Sequence, residues 1–440
     1  MTRPHEFFFT KIPKLFQIDI VSSKTQEQVR WIDLDLGGLD VDYPNIDHFF
    51  FQPIQLSPET SPSGDPDNQG RKSLSALPIE AIEDVDWTGG MIRIQDGDLI
   101  EIVDKTKLAQ AVLLRRDILD AYVIDLQNRR VTRANDLLLE DDEALRLIAA
   151  DTGARALFRR LSGGLYQGYS KNELQDWKYI EFLRGDLSAV RAGAGYCRRI
   201  SRLPPGEIAN LAEHLPYLHT TELISLLPNP LAADTLELMT PERQIQVFEE
   251  LDERDALSIL EEMAPDAATD LIGLLTTEEA HHYLDQLPKS SSERIIDLLR
   301  YPEDTVGGIM TNDVVAIPGS LTVDQARERL KTKSRKPDFI HFLYIVDNDE
   351  DRHIKGVVTL RSILFAKEWQ RLEDIMNTYL EALDPLEPAK HAANRLIQTQ
   401  LAALPVATSD GRLLGVVTVD TAFRLVAPLA WSTQVPRVFS

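Results

Sequence analysis

The sequence predicts an α+β chain of several domains: a β-rich start, an α-helical solenoid and a closing pair of βαββα modules. Three observations predict it. Short runs of β-forming residues separated by turn signals fill the first 200 positions. An apolar residue then recurs every twelve positions from Leu203 to Leu299, and a segment ending in GVVT appears twice, with Gly356 and Gly415 59 residues apart. At 440 residues and 43% hydrophobic content, the chain is long enough for two to four domains with proper cores.

The β-rich start divides at a polar, Pro/Gly/Ser-rich stretch, LSPETSPSGDPDNQGRKS. Residues 1–55 carry FFFTKIP, WIDLDLGGLDV and HFFFQPIQ, which bunch or alternate β-formers and predict a β segment or half of a barrel. Residues 56–76 read as a flexible linker. Residues 77–200 hold GGMIRIQDG, DLIEIVD, AYVIDLQNRRVTRANDLLLE and ALRLIAADTG, short strands whose spacing predicts a small β-barrel. Cys197 is the single cysteine and reads as a small buried hydrophobe, since it has no internal disulfide partner.

Residues 203–300 form the solenoid. The period-twelve positions run Leu203, Leu215, Leu227, Met239, Leu251, Met263, Leu275, Leu287 and Leu299. Three and four residues before them stand mostly apolar side chains, such as Val247–Phe248 and Leu271–Ile272, which gives each unit one apolar helical face. Pro, Thr, Asp or Ala opens each unit, as first-turn and capping residues do. A helix of two turns cannot bury its face alone, so the units are expected to stack.

Residues 301–367 and 368–428 form the duplicated modules, each reading strand, helix, strand, strand, helix, followed by a tail at 429–440. Two such modules ordinarily pack as one unit.

Charge narrows the function. The chain carries 47 basic and 70 acidic side chains, a formal charge of −23, which disfavours nucleic acid and anionic lipid and favours cations. Residues 204–304 alone hold twenty-two Asp and Glu against five Lys and Arg. Crowded carboxylates repel, and a hard divalent cation with a preference for oxygen relieves that repulsion. Asp266 and Asp270, one helical turn apart, with Glu303 and Asp304 after the last repeat and Asp420 in the second module, are the candidate metal ligands. Capping and the helix dipole account equally for an Asp at the position of Asp266. His281 and His282 are adjacent, point apart on a helix and make a poor chelating pair, so both read as surface or groove residues. No P-loop, HExxH, GxSxG or CxxC motif is present, and no catalytic role is expected. No stretch approaches eighteen consecutive apolar residues and no secretion signal opens the chain, which predicts a cytoplasmic protein without a transmembrane segment.

The repeat, the following YPEDTVGGIM and the paired GVVT modules together resemble the cytosolic region of MgtE-type magnesium transporters: an MgtE intracellular N domain before a tandem pair of CBS domains. RRDILDAYVIDLQNRRVTRANDLLLE is similar to PRC-barrel regions. The resemblance implies Mg²⁺ as the cation, a magnesium-responsive regulatory function in which Mg²⁺ bridges the acidic solenoid and the CBS pair, and a homodimer formed through that pair. A full transporter would continue into membrane helices where this sequence reads AFRLVAPLAWSTQVPRVFS, so a detached subunit docking on a membrane transporter partner is an alternative, as is a protein-binding adaptor. CBS pairs also bind adenine nucleotides, which would place Thr359 and Thr418 at phosphate or ribose. The family pattern has an Asp three residues later, where this chain has Ser362 and Thr421, and that departure weakens the nucleotide reading.

Overall fold

The computed structural model describes residues 5–9, 18–21, 26–37, 41–53, 74–86, 91–94, 100–103, 108, 111–142, 144–162, 168–184, 199–332 and 341–426. Most of the expected linker at 56–76, Cys197 and the tail at 429–440 lie outside the described residues. The chain divides into two compact units, Met1–Leu251 and Asp252–Ser440.

In the first unit, strands β1 (His5–Phe8), β2 (Ile18–Val21), β3 (Gln26–Leu36), β4 (Ile46–Pro53), β5 (Leu74–Pro78), β6 (Ile82–Asp86), β7 (Met91–Ile94) and β8 (Glu101–Val103) precede a π-helical turn at Leu114–Ile118. Then come β9 (Tyr122–Asp125), β10 (Arg130–Arg133), β11 (Asp136–Asp141), β12 (Leu145–Asp151), helix α1 (Ala154–Leu161), β13 (Leu174–Asp176) and β14 (Ile180–Leu183). They form sheets ordered β6-β7-β2-β3-β4-β5-β8, β1-β11-β12-β13 and β10-β9-β14. The expected closed barrel is not formed: among the described residues the seven-stranded sheet is open, with β6 and β8 at its edges. Short strands and turns signal small β structures without encoding closure, which depends on pairings between distant strands. Here β2 pairs in parallel with β7, and β1 pairs with β11 across more than a hundred residues. One core, including Phe9, Trp31, Phe49, Leu114, Leu139 and Trp177, joins the sheets.

Buried charge pins α1 to this layer. Arg159 donates from Nε to Asp136 and from Nη2 to Asp151, both at 2.7 Å, and its guanidinium lies over the Phe8 ring. All three charged groups are buried, an arrangement that holds only because each is paired.

The helical repeat obeys its period. Helices α2 (Pro205–Ala212), α3 (Tyr217–Leu226), α4 (Asn229–Glu237) and α5 (Pro241–Glu250) belong to the first unit, and α6 (Glu253–Glu262), α7 (Pro265–Leu274), α8 (Thr277–Gln286) and α9 (Lys289–Leu298) to the second. Their first residues are twelve positions apart throughout. Helices two repeats apart pack together, α2 on α4 and α3 on α5 in the first unit and α7 on α9 in the second. Leu223, Ile224, Val247, Phe248, Leu271 and Ile272 are buried as the apolar face requires, whereas Ile296 and Leu299 of the last repeat are exposed. Among the helices of the repeat, Thr276, before α8, forms a full capping box with Glu279; proline at the first turn is the commoner start signal there.

The second unit continues with β15 (Ala316–Pro318), α10 (Val323–Thr332), β16 (Phe342–Val346), β17 (Ile354–Thr359) and α11 (Leu360–Phe365). This is the expected βαββα order. After the one-turn α12 (Leu372–Ile375), the second copy has α13 (Ala389–Thr399), β18 (Ala403–Ala407), β19 (Leu413–Thr418) and α14 (Val419–Val426). Its first strand is reduced to one parallel bridge, Leu383 to Val406. The copies exchange leading segments: Asn377 pairs with Val357 of the first copy and Thr311 with Val416 of the second. Gly356 and Gly415 permit this, since a Cβ at either would collide with the carbonyl of Asn377 or Thr311. Leu298, at the end of the repeat, is buried with Val306, Leu396, Val406 and Ala422 in the core of the second copy.

Candidate functional site

Asp266 is the second residue of α7, directly after Pro265, and Asp270 follows one turn later on the same face. Ala267, Ala268, Leu271 and Ile272 are buried on the rest of the helix, so packing fixes the direction of the carboxylate pair. Glu303 is held in a tight turn. Thr305 Oγ1 donates to the Pro302 carbonyl at 2.7 Å and accepts from the Gly308 N–H at 3.2 Å. The same turn is tied to the second βαββα copy, where the Ala389 N–H donates to the Asp304 carbonyl and the Val306 N–H to that of Glu387.

These elements converge on Asp270. Its carboxyl is pushed up to about 6, first because surrounding protein strips water from it and next because Asp266 repels it; Arg424 opposes the shift and Glu303 adds to it. Asp270 still keeps more than a third of its surface accessible, so it is a crowded rim carboxylate open to a ligand. Of the five predicted ligands, Asp266, Asp270 and Glu303 share one electrostatic field. Asp304 is exposed in the same turn, and Asp420 is exposed in the first turn of α14. Arg424, one turn beyond Asp420, is the member that sequence reasoning missed; its signal was a cation four residues after a candidate acid.

The acidic members of this set offer only oxygen donors, the kind that hard cations prefer. Among the described residues no three His, Cys, Asp or Glu side chains are grouped closely enough to hold a metal directly. Mg²⁺ usually retains several waters and takes one or two direct carboxylates, which suits oxygen donors that are near one another without forming a cage. His282 is engaged elsewhere: its Nε2 lies 2.7 Å from Glu253 Oε1, which also accepts from Gln286.

Comparison with known proteins bears on what this site belongs to. Residues 203–304 match the MgtE intracellular N domain, and residues 306–368 and 372–427 match the CBS domain. The chain carries an MgtE N domain followed by a tandem CBS pair. It is 29% identical over 239 residues to the magnesium transporter MgtE of Thermus thermophilus, covering 54% of this chain and 51% of that one. It is 26% identical over 249 residues to the magnesium transporter MgtE of Bacillus subtilis, covering 56% and 55%. The chain thus spans about half the length of the curated relatives it matches. A crystal structure of the cytosolic domain of the Mg²⁺ channel MgtE in complex with ATP aligns at 28% identity and a TM-score of 0.49, covering 55% of this chain and 96% of that one. Neither family match extends into the region likened to PRC barrels, and that likeness is not confirmed. Asp266 and Asp270 therefore belong to the MgtE N domain, while Asp420 and Arg424 belong to the second CBS copy.

In the CBS pair, Thr359 Oγ1 accepts from the Ser362 N–H at 3.0 Å and lies 2.8 Å from the Ser362 hydroxyl. Thr418 and Thr421 repeat the arrangement at 3.3 and 3.1 Å. Both threonines start the last helix of their copy, and each is matched with a neutral hydroxyl. No described helix is long and apolar enough to cross a membrane.

Proposed function

We propose that this chain is a magnesium-responsive regulatory protein of the cytoplasm, in which a hydrated Mg²⁺ bridges the MgtE N domain and the second CBS copy. The observation that carries the reading is the crowding of Asp270, on α7, by Asp266 of the same helix and by Glu303 of the following turn, with Arg424 of α14 opposing them. A divalent cation relieves this repulsion by direct contact with Asp266 or Asp270 and through water to Glu303, with Asp304 and Asp420 at the rim. Without it, like charges favour separation of the two surfaces, so the cation biases a conformational equilibrium. The names of the relatives support magnesium as that cation and a magnesium transport system as the setting.

Adenine nucleotide is the weaker ligand in this reading, because Ser362 and Thr421 offer hydroxyls where a ribose would meet a carboxylate. Calorimetric titration with Mg²⁺ at constant ionic strength tests the proposal. Millimolar binding that is lost in the Asp266→Asn, Asp270→Asn double variant is expected. Binding unchanged in that variant would remove the site assignment.

A further inference from the structure

The duplication brings equivalent positions of the two CBS copies face to face. His353, before β17, and Arg412, before β19, are 59 residues apart, the same interval as Gly356 and Gly415, and they bridge each other. Around them the Ile354 N–H donates to the Gly411 carbonyl and the Leu413 N–H to the Arg352 carbonyl, both at 3.0 Å. One copy thus places a permanent guanidinium at this junction and the other a titratable imidazole.

Both nitrogens of that imidazole face carboxylates. His353 Nδ1 lies 3.1 Å from Asp347 Oδ2 of its own copy, and Nε2 lies 3.6 Å from Asp410 Oδ2 of the other. A neutral imidazole has one N–H and can donate to only one of them; an imidazolium has two and serves both. The other charged groups at the junction are Arg352 and Arg412, with Asp349 acting on Arg352 and paired with Arg329.

We infer that His353 is a proton-operated clasp between the two CBS copies, adding a cross-copy ion pair when the imidazole is charged. The clasp is independent of the Mg²⁺ site, which draws on α7, the 302–308 turn and α14. Hydrogen exchange of the Ile354 and Leu413 amides in the full chain, corrected for intrinsic rates, reads the junction directly. On lowering the pH from 8 to 5.5, protection in the wild type relative to His353→Gln is expected to rise about two- to fivefold, the range of an exposed pair. His353→Arg should stay protected throughout, and Asp410→Asn should remove the rise. A ratio that does not change with pH, or a rise that survives Asp410→Asn, would overturn the clasp.

Discussion

Single carboxylates in this chain are set apart by their surroundings. Glu181, on β14, is buried and accepts the Arg199 N–H at 2.7 Å; burial pushes it up to about 7, against backbone hydrogen bonds from Arg199 and Ile200 and the charge of Arg199. A carboxyl raised in the folded state binds its proton more tightly there than when unfolded. Its contribution to stability is complete below about pH 4.5, the unfolded value, and is lost as pH rises through about 7. Glu181→Gln keeps an acceptor and cannot ionise, so its unfolding free energy relative to wild type should climb between pH 5 and pH 8, by an amount on the order of 1–3 kcal/mol. Equal shifts at both pH values would contradict this. Asp270 is raised as well, so protons compete with the cation and Mg²⁺ affinity should fall below about pH 6. The pair Asp266–Asp270 was legible from helical spacing alone. Arg424 was not, because its place beside Asp270 follows from packing between segments some 150 positions apart in the chain.

Helices were more legible than strands. A helix declares its buried face through local spacing, and the twelve-residue period located all eight repeats. The period also marked Ile296 and Leu299 as core positions, and there it fails, since no later repeat covers the last one. Ile272→Ala, at a buried position, should cost about 2–5 kcal/mol, and Ile296→Ala, at an exposed one, less than about 1 kcal/mol. Urea unfolding of the two variants checks this; similar losses would mean that the last helix is covered in solution. Strand content was also visible in the first unit, but sheet order was not. The parallel β2–β7 contact and the long-range β1–β11 pair depend on side chains meeting across the fold, information that no local pattern holds.

On the scale of the molecule, the acidic excess of the repeat is what motivates the cation response proposed above. The CBS pair leaves Leu364, Phe365 and Trp369 exposed by 66, 83 and 72% of their surface. A second copy is the proposed cover, and sedimentation should show a dimer that Phe365→Glu with Trp369→Glu converts to monomer; a wild-type monomer at all concentrations would reject it. In the proposed function, Mg²⁺ links the N domain to the second CBS copy. Hydrogen exchange across residues 265–274 and 419–425, with and without millimolar Mg²⁺ at matched ionic strength, tests it most directly. Protection of both segments together is expected, saturating with Mg²⁺ and absent in the Asp266→Asn, Asp270→Asn variant. Protection reproduced by monovalent salt alone, or confined to one of the two segments, would contradict it.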